Sequence, residues 1–467
     1  MNLLQKQSQL EVYIESTVFG GKSIARIDGM VIFVEGCVAG DTAKVEIYKV
    51  KKQYCEAKLI EIIKPSEKRV KPECSHFGIC GGCKWQNFNY QSQLIEKENH
   101  VIDSIERIGG FKNIVVEKII PSSEIYFYRN KLEFSFGTKR WLKKEEVNDE
   151  TKNKKEFILG FHAPERYDKL VEIDECFLES EQSNKILNFI RKYAIENKLT
   201  AYDNETKNGY LRNLVIRESK FTNEVLINIV TLNSDPVVMK NLTNSLLSEF
   251  PKITTVLNNI NSRLSQVAIG EYEVIYHGNG YIQEKIGEQV FKISANSFFQ
   301  TNSKQTINLY NVVKNYSDLK TTDTVFDLYC GTGTISIFIS PFVKNVFGVD
   351  SEKSSIENAI NNAEINKIKN CNFILGDVKN EIEKLIIQHN PEIIILDPPR
   401  SGVHPKIIES LNKFKIKKII YVSCNPTTLA RDLKLLSDGG YIIEKIQPVD
   451  MFPHTYHIET VVKLSQK

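Results

Sequence analysis

Asp327-Leu328-Tyr329-Cys330-Gly331-Thr332-Gly333-Thr334 is the stretch that decides the fold. It follows the apolar strand pattern Thr324-Val325-Phe326 and opens a helical one, so its two glycines place a tight turn at a strand's carboxyl end. Outward from it, NVFGVD, CNFILGD, EIIILDPP, KIIYVSC and YIIEKIQPVD read as buried strands, with helical stretches such as SSIENAINNAEINK between them. Strands and helices that alternate in this way make a doubly wound parallel sheet, so 286–467 is predicted to be an α/β, Rossmann-like domain. Ligands in such sheets sit beyond the carboxyl ends of the strands, where the unusual residues of this chain fall.

A dinucleotide site asks for a third glycine at 336, where the chain has Ser336. That departure turns the reading from NAD toward S-adenosylmethionine. Asp350 ends the next strand, placed to accept from ribose hydroxyls, and Asp377 ends the third, within reach of an adenine. Asp397 in the fourth precedes Pro398-Pro399-Arg400, a motif without the base-stacking aromatic of amino-methylating enzymes. After KIIYV comes Ser423-Cys424-Asn425-Pro426, which presents a thiol at the same edge of the sheet; a packed structural cysteine is the plain alternative, but Asn-Pro stops the strand there. Met451-Phe452-Pro453-His454-Thr455-Tyr456-His457-Ile458-Glu459 then brings a carboxylate to the last strand.

A thiol, a carboxylate and a methyl donor suit one reaction. C5 of uracil is too weak a nucleophile to take a sulfonium methyl directly. A thiolate adding at C6 places enolate charge at C5, and a base must later take the C5 proton so that the thiolate can leave. Cys424 fits the nucleophile and Glu459 the base.

DLYCGTGT, GVD, LDPPR, SCNP and MFPHTYHIE together resemble the RNA uracil-5-methyltransferase family over the carboxyl-terminal third. The resemblance implies that Gln300, in Asn296-Ser297-Phe298-Phe299-Gln300, contacts the cofactor along with Tyr329, Asp350 and Asp397, and Thr334 at the motif's end is grouped with them. Several family members carry Glu where this chain has Asp350.

The first 66 residues read differently. LEVYIES, GMVIFVEG, DTAKVEIYKV and YCEAKLIEII are short alternating strands broken by Gly20-Gly21, Asp28-Gly29 and Gly40-Asp41, which predicts a small OB-like β-barrel resembling the TRAM domain. Residues 67–285 are expected to form a central α+β domain with a helix near 89–108. Between two hairpin-like segments, Trp141–Glu156 is charged and reads as a solvated loop. Tyr128-Arg129-Asn130-Lys131 and Gly209-Tyr210-Leu211-Arg212-Asn213 combine aromatic, cationic and amide groups suited to RNA, against the plain reading of ordinary surface polarity.

Cys74, Cys80 and Cys83 lie within ten residues, with Gly81 and Gly82 letting the chain wrap. Spacing alone leaves zinc and an iron–sulfur cube open. A radical enzyme is disfavoured, because its usual cysteine spacing differs and the methyl-transfer motifs lie far away in the chain. The resemblance implies a [4Fe–4S] cluster with Cys176 as fourth ligand; Cys55, in a predicted barrel strand, is the competitor and reads as packed. Barrel and cysteine cluster together match the branch that modifies a uridine in 23S rRNA. A tRNA uracil-5-methyltransferase and a noncatalytic RNA-binding or ribosome-assembly factor are the alternatives.

Composition agrees with several globular domains: 467 residues, 41% hydrophobic and 25% charged. No apolar stretch approaches the ~18 residues that cross a bilayer, and MNLLQKQSQLEVYIES lacks the apolar core of a secretory signal. A cytoplasmic monomer with ribosomal RNA as its partner and no membrane is expected. Nine cysteines in a reducing compartment point to ligands or nucleophiles rather than disulfides. A net charge of +3 neither requires nor excludes RNA.

Overall fold

The computed structural model describes residues 4–142, 156–164, 166–264 and 268–467, so nearly all of the charged stretch Trp141–Glu156 lies outside the described residues. Strands β1 (Gln9–Tyr13), β2 (Ser16–Thr17), β3 (Ser23–Ile27), β4 (Met30–Glu35), β5 (Thr42–Val50) and β6 (Tyr54–Lys64) form one sheet in the order β1-β5-β6-β4-β3-β2. Since β1 and β2 are successive parts of one extended run, the two ends of the sheet meet. The Glu15 N–H donates to the Ile24 carbonyl at 2.8 Å across the seam, which closes a barrel and removes its edges. Period-2 alternation points Ala43, Val45 and Ile47 inward against Ile32 and Val34, and Cys55 is fully buried among them as a packed residue.

Helix α1 (Tyr90–Arg107) starts where the Asn89 side chain accepts from the Ser92 N–H at 2.8 Å. Its Val101 and Ile105 enter the core of the carboxyl-terminal domain. On the same helix Lys97 forms an ion pair with Asp450 at 2.6 Å, both side chains at 0% exposure, and donates to the Phe452 carbonyl at 3.0 Å. The Tyr90 hydroxyl donates to the second Asp450 oxygen at 2.9 Å. A buried charge stripped of its partner is costly, so Lys97→Ala should lower unfolding stability by about 3–5 kcal/mol, read by chemical denaturation.

The central sheet contains β7 (Lys131–Gly137), β8 (Ile158–Ala163), β9 (Arg166–Glu172), β10 (Leu211–Glu218), β11 (Val225–Thr231), β12 (Ile253–Ile260) and β13 (Tyr272–His277), in the order β13-β12-β11-β10-β7-β8-β9. Helices α2 (Glu181–Glu196) and α3 (Pro236–Glu249) cover one face through Ile186, Ile190, Met239 and Leu246. The other face is mixed: Leu226 and Leu257 pack into the carboxyl-terminal core, and polar side chains grip the next segment. Arg217, 2% exposed, donates to the Ala295 carbonyl at 3.2 Å and also to that of Ser297, and Asn130 Nδ2 donates to the Gln300 carbonyl at 2.9 Å. Gly209–Asn213 is largely interior, contrary to its reading as an RNA-facing edge: Arg212 sits on an inner strand, 3% exposed, stacked 4.4 Å over the Tyr202 ring.

A hairpin, β14 (Tyr281–Ile286) and β15 (Gln289–Ser294), and helix α4 (Ser303–Ser317) lead into the last sheet. It comprises β16 (Thr324–Leu328), β17 (Asn345–Asp350), β18 (Cys371–Leu375), β19 (Ile393–Leu396), β20 (Lys418–Ser423), β21 (Tyr441–Val449) and β22 (Glu459–Gln466), in the order β18-β17-β16-β19-β20-β22-β21. The first five are parallel, and β22 inserts antiparallel between β20 and β21. Helices α5 (Thr334–Ile339), α6 (Lys353–Ile365), α7 (Val378–His389), α8 (Pro405–Phe414) and α9 (Pro426–Asp438) connect them. This is the doubly wound sheet that the strand pattern predicted. Among the described residues no helix is long and apolar enough to cross a membrane.

Candidate active site

The carboxyl ends of β16, β17, β19 and β20 open into one cavity of about 580 Å³. Gln300, Tyr329, Thr334, Asp350, Asp397, Cys424 and Glu459 all line it, so seven of the residues singled out in the sequence come together there. Asp377 does not. It is exposed, caps α7 by accepting from the Lys379 N–H at 3.1 Å and pairs with the Lys379 ammonium at 2.9 Å.

The turn after β16 is built for a close approach. Tyr329 has φ of 67° and Gly333 of 75°; a Cβ on Gly333 would lie 2.8 Å from the Phe373 ring and 2.9 Å from Ala359. Only glycine satisfies both the conformation and the space. Asp350 is aimed at the turn, accepting from the Gly331 N–H at 3.0 Å and the Glu352 N–H at 2.8 Å. Ser336, the departure from a dinucleotide motif, has a job of its own: its N–H and hydroxyl donate to Asp327 Oδ2 at 3.0 and 2.6 Å. The other Asp327 oxygen is buried with no partner. Thr334 Oγ1 lies 2.7 Å from the Tyr310 hydroxyl.

Cys424 stands just before the amino terminus of α9. Asn425 caps that helix, its side-chain oxygen accepting from the Thr427 N–H at 3.0 Å, and Pro426 is its first residue. Asn425 Nδ2 also donates to the Arg400 carbonyl at 3.0 Å, tying the thiol's turn to the Asp397–Arg400 loop. Burial pushes the Cys424 thiol up to about 11; Glu459 and Asp397 add to the shift, and Arg400 opposes it. Glu459, 6% exposed, is held well above the ordinary carboxylate range by burial and then by Asp397. Burial, then Asp327, raises Asp397 to about 7. A pocket with three buried carboxyl groups is short of positive charge.

Tyr310, Arg400, Phe452 and His457 also line the cavity. The last three lie inside motifs quoted from the sequence, but nothing there assigned them a role. Tyr310 comes from α4, whose sequence carries no functional signal.

A second cavity, of about 400 Å³, is lined by Cys74, Cys80, Cys83 and Cys176. Gln86 Nε2 donates to Cys83 Sγ at 3.3 Å and the Gly82 N–H to Cys80 Sγ at 3.4 Å. Among the described residues no group of three or more His, Cys, Asp or Glu side chains is drawn close enough to hold a single metal ion. Arg129 lines both cavities, and one loop lines each of them, through Thr455 in the second and Phe452 in the first.

Sheet order, glycine turn and acidic strand ends define an S-adenosylmethionine-dependent methyltransferase with an appended β-barrel. Residues 212–467 match the family described as tRNA (uracil-5-)-methyltransferase, and residues 5–60 match the TRAM domain. The chain belongs to that methyltransferase family. It is 43% identical over 93% of its length, and 91% of the relative's, to a protein of Chlorobaculum tepidum named as an uncharacterized RNA methyltransferase. A Bacteroides thetaiotaomicron protein of the same name is 40% identical, covering 95% of this chain and 98% of its own. Among solved structures, the Pyrococcus abyssi tRNA (uracil-54, C5)-methyltransferase in complex with S-adenosyl-L-homocysteine superposes with a TM-score of 0.75 at 30% identity, covering 97% of this chain and all of the other.

Proposed function

We propose that this protein methylates C5 of an unpaired uridine in 23S rRNA. The observation that carries the reading is the single cavity in which Cys424, Glu459 and the glycine turn meet. S-adenosylmethionine supplies a methyl group on a cationic sulfonium, a charge that suits the buried Asp327, Asp397 and Glu459. Gln300, Tyr329, Thr334 and Asp350 hold it, and Asp377 takes part only by moving inward from its exposed cap. Cys424 Sγ bonds to uracil C6, sending the C5=C6 electron pair into an enolate. C5 takes the methyl group, Glu459 accepts the C5 proton, and the C6–S bond breaks to restore the ring. Because Cys424 is a thiol in the free pocket, its proton passes to solvent as the uracil docks, and Arg400 and the start of α9 favour the thiolate.

For the second cavity we propose a [4Fe–4S] cluster on Cys74, Cys80, Cys83 and Cys176. Four thiols around about 400 Å³ suit a group larger than one zinc ion, which would need all four sulfurs about 2.3 Å from one centre. Two N–H groups already directed at sulfur suit a cluster's ligands as well. Anaerobically purified protein should contain iron and acid-labile sulfide; zinc without iron would overturn the assignment.

The Pyrococcus neighbour favours a second reading, a tRNA uridine. Methyl-labelled S-adenosylmethionine incubated with unmodified 23S rRNA fragments and with tRNA transcripts decides between them. Labelled 5-methyluridine is expected in the rRNA; label in tRNA alone favours the second reading. No 5-methyluridine in either leaves a noncatalytic RNA-binding or assembly factor. Mapping 5-methyluridine in total rRNA with and without the gene then names the position.

A further inference from the structure

The loop between β21 and β22 ends at Glu459 and has two sides. Phe452 and His457 line the cavity, whereas Tyr456 faces the barrel. There Phe19, in the turn between β2 and β3, meets the Tyr456 ring edge-on, with centroids 5.5 Å apart at 89°. Gly21 in the same turn passes so close that a Cβ would lie 2.9 Å from Tyr456, and its φ of +85° is left-handed. A second barrel turn, Val38-Ala39, packs with Trp85 and Phe88 in one buried cluster against which Tyr456 also rests. The Tyr456 ring in turn lies 4.2 Å from that of His457.

This contact is braced from both ends. Within the turn the Val18 N–H donates to the Lys22 carbonyl at 2.8 Å and the Gly21 N–H to the Val18 carbonyl at 3.0 Å. Thr17 donates its N–H and hydroxyl to Glu96 of α1, each at 2.8 Å, while Gln93 of the same helix accepts from the His454 N–H at 2.9 Å. The Lys84 and Trp85 N–H groups both donate to the His454 carbonyl at 3.0 Å. Phe19 itself packs against the core of the carboxyl-terminal sheet. A module that only gripped RNA from the end of a linker would need none of these contacts.

We propose that the β2–β3 turn of the barrel is a positioning element of the active site. Phe19 and Gly21, pressing on Tyr456, hold His457 and Glu459 against the target uridine, so the barrel acts on turnover as well as on RNA affinity. The catalytic half of this inference rests on the uridine-methylation reading; the mechanical half does not. Misplacing a reacting group by a fraction of an ångström is enough to cost rate without costing affinity.

The test uses the full chain with Phe19→Ala and the conservative Phe19→Tyr, on a 23S rRNA fragment and on a short uridine-containing oligonucleotide that enters the cavity without reaching the outer barrel. Phe19→Ala should lower kcat on both by about tenfold or more with KM for the oligonucleotide unchanged, and Phe19→Tyr should retain wild-type kcat. In the RNA-free protein, Phe19→Ala should speed hydrogen exchange at the amides of 452–457 and leave the barrel core protected. Unchanged exchange there, or weaker rRNA binding with unchanged kcat, would overturn the proposal. If the wild type methylates neither RNA, the functional reading fails while the exchange result still decides the coupling.

Discussion

Replacing Cys424 with alanine is expected to abolish 5-methyluridine formation, a fall of about 10⁴-fold or more, since the proposed covalent step is made by this thiol, and Cys330, which also lines the cavity, is buried in the glycine turn. The protein should stay folded. The change deletes one sulfur at a cavity-lining position, so stability should move by no more than about 1 kcal/mol in chemical denaturation. Measurable turnover by this variant would remove Cys424 as the nucleophile. A companion measurement follows from the environment of the thiol. Burial, Glu459 and Asp397 push it up to about 11 against the opposing Arg400, and only the thiolate is alkylated. In the RNA-free protein, iodoacetamide labelling of the Cys424 peptide should therefore rise about tenfold per pH unit between roughly pH 7 and pH 10. A plateau near neutrality would mean that the thiolate is stabilised before substrate arrives.

Much of this site was legible because its residues are tied to short local geometry. DLYCGTGT announces a strand-to-helix turn, and the turn has the positive φ values its glycines imply. SCNP was read as a strand stop; it is also a helix start, with Asn425 as cap and Pro426 as first residue. Asp377 shows the limit of the same logic. Its place at a strand end was correct, yet the next helix begins at once, and the N–H and ammonium of Lys379 take the carboxylate. Arg212 was misread for a related reason: composition cannot distinguish a surface loop from an inner strand that buries its guanidinium over Tyr202. Tyr310 reaches the cavity only through packing of α4, and the braces on the Glu459 loop join residues more than 300 positions apart, such as Lys97 and Asp450. Contacts of that range leave no periodicity to read.

The other large effect is expected at Glu459, and it should look unlike the first. Glu459→Gln keeps the size and the hydrogen-bonding shape of the side chain but cannot accept a proton. Addition of Cys424 to C6 and methylation at C5 can still occur; removal of the C5 proton loses its positioned base, so the C6–S bond breaks only slowly. Turnover should fall by about 10²–10⁴-fold while a covalent protein–RNA adduct accumulates, visible as a species of reduced mobility on denaturing gels that requires both Cys424 and S-adenosylmethionine. Loss of activity without an adduct would point to another base. In the wild type, adduct decay is the step that reads this carboxyl group. Burial, then Asp397, holds Glu459 well above the ordinary range, with Arg400 opposing, so the protonated, inactive form persists to higher pH than for a free glutamate near 4.3. The decay rate should rise with pH through that elevated value, and the slow decay left in Glu459→Gln should lose this dependence.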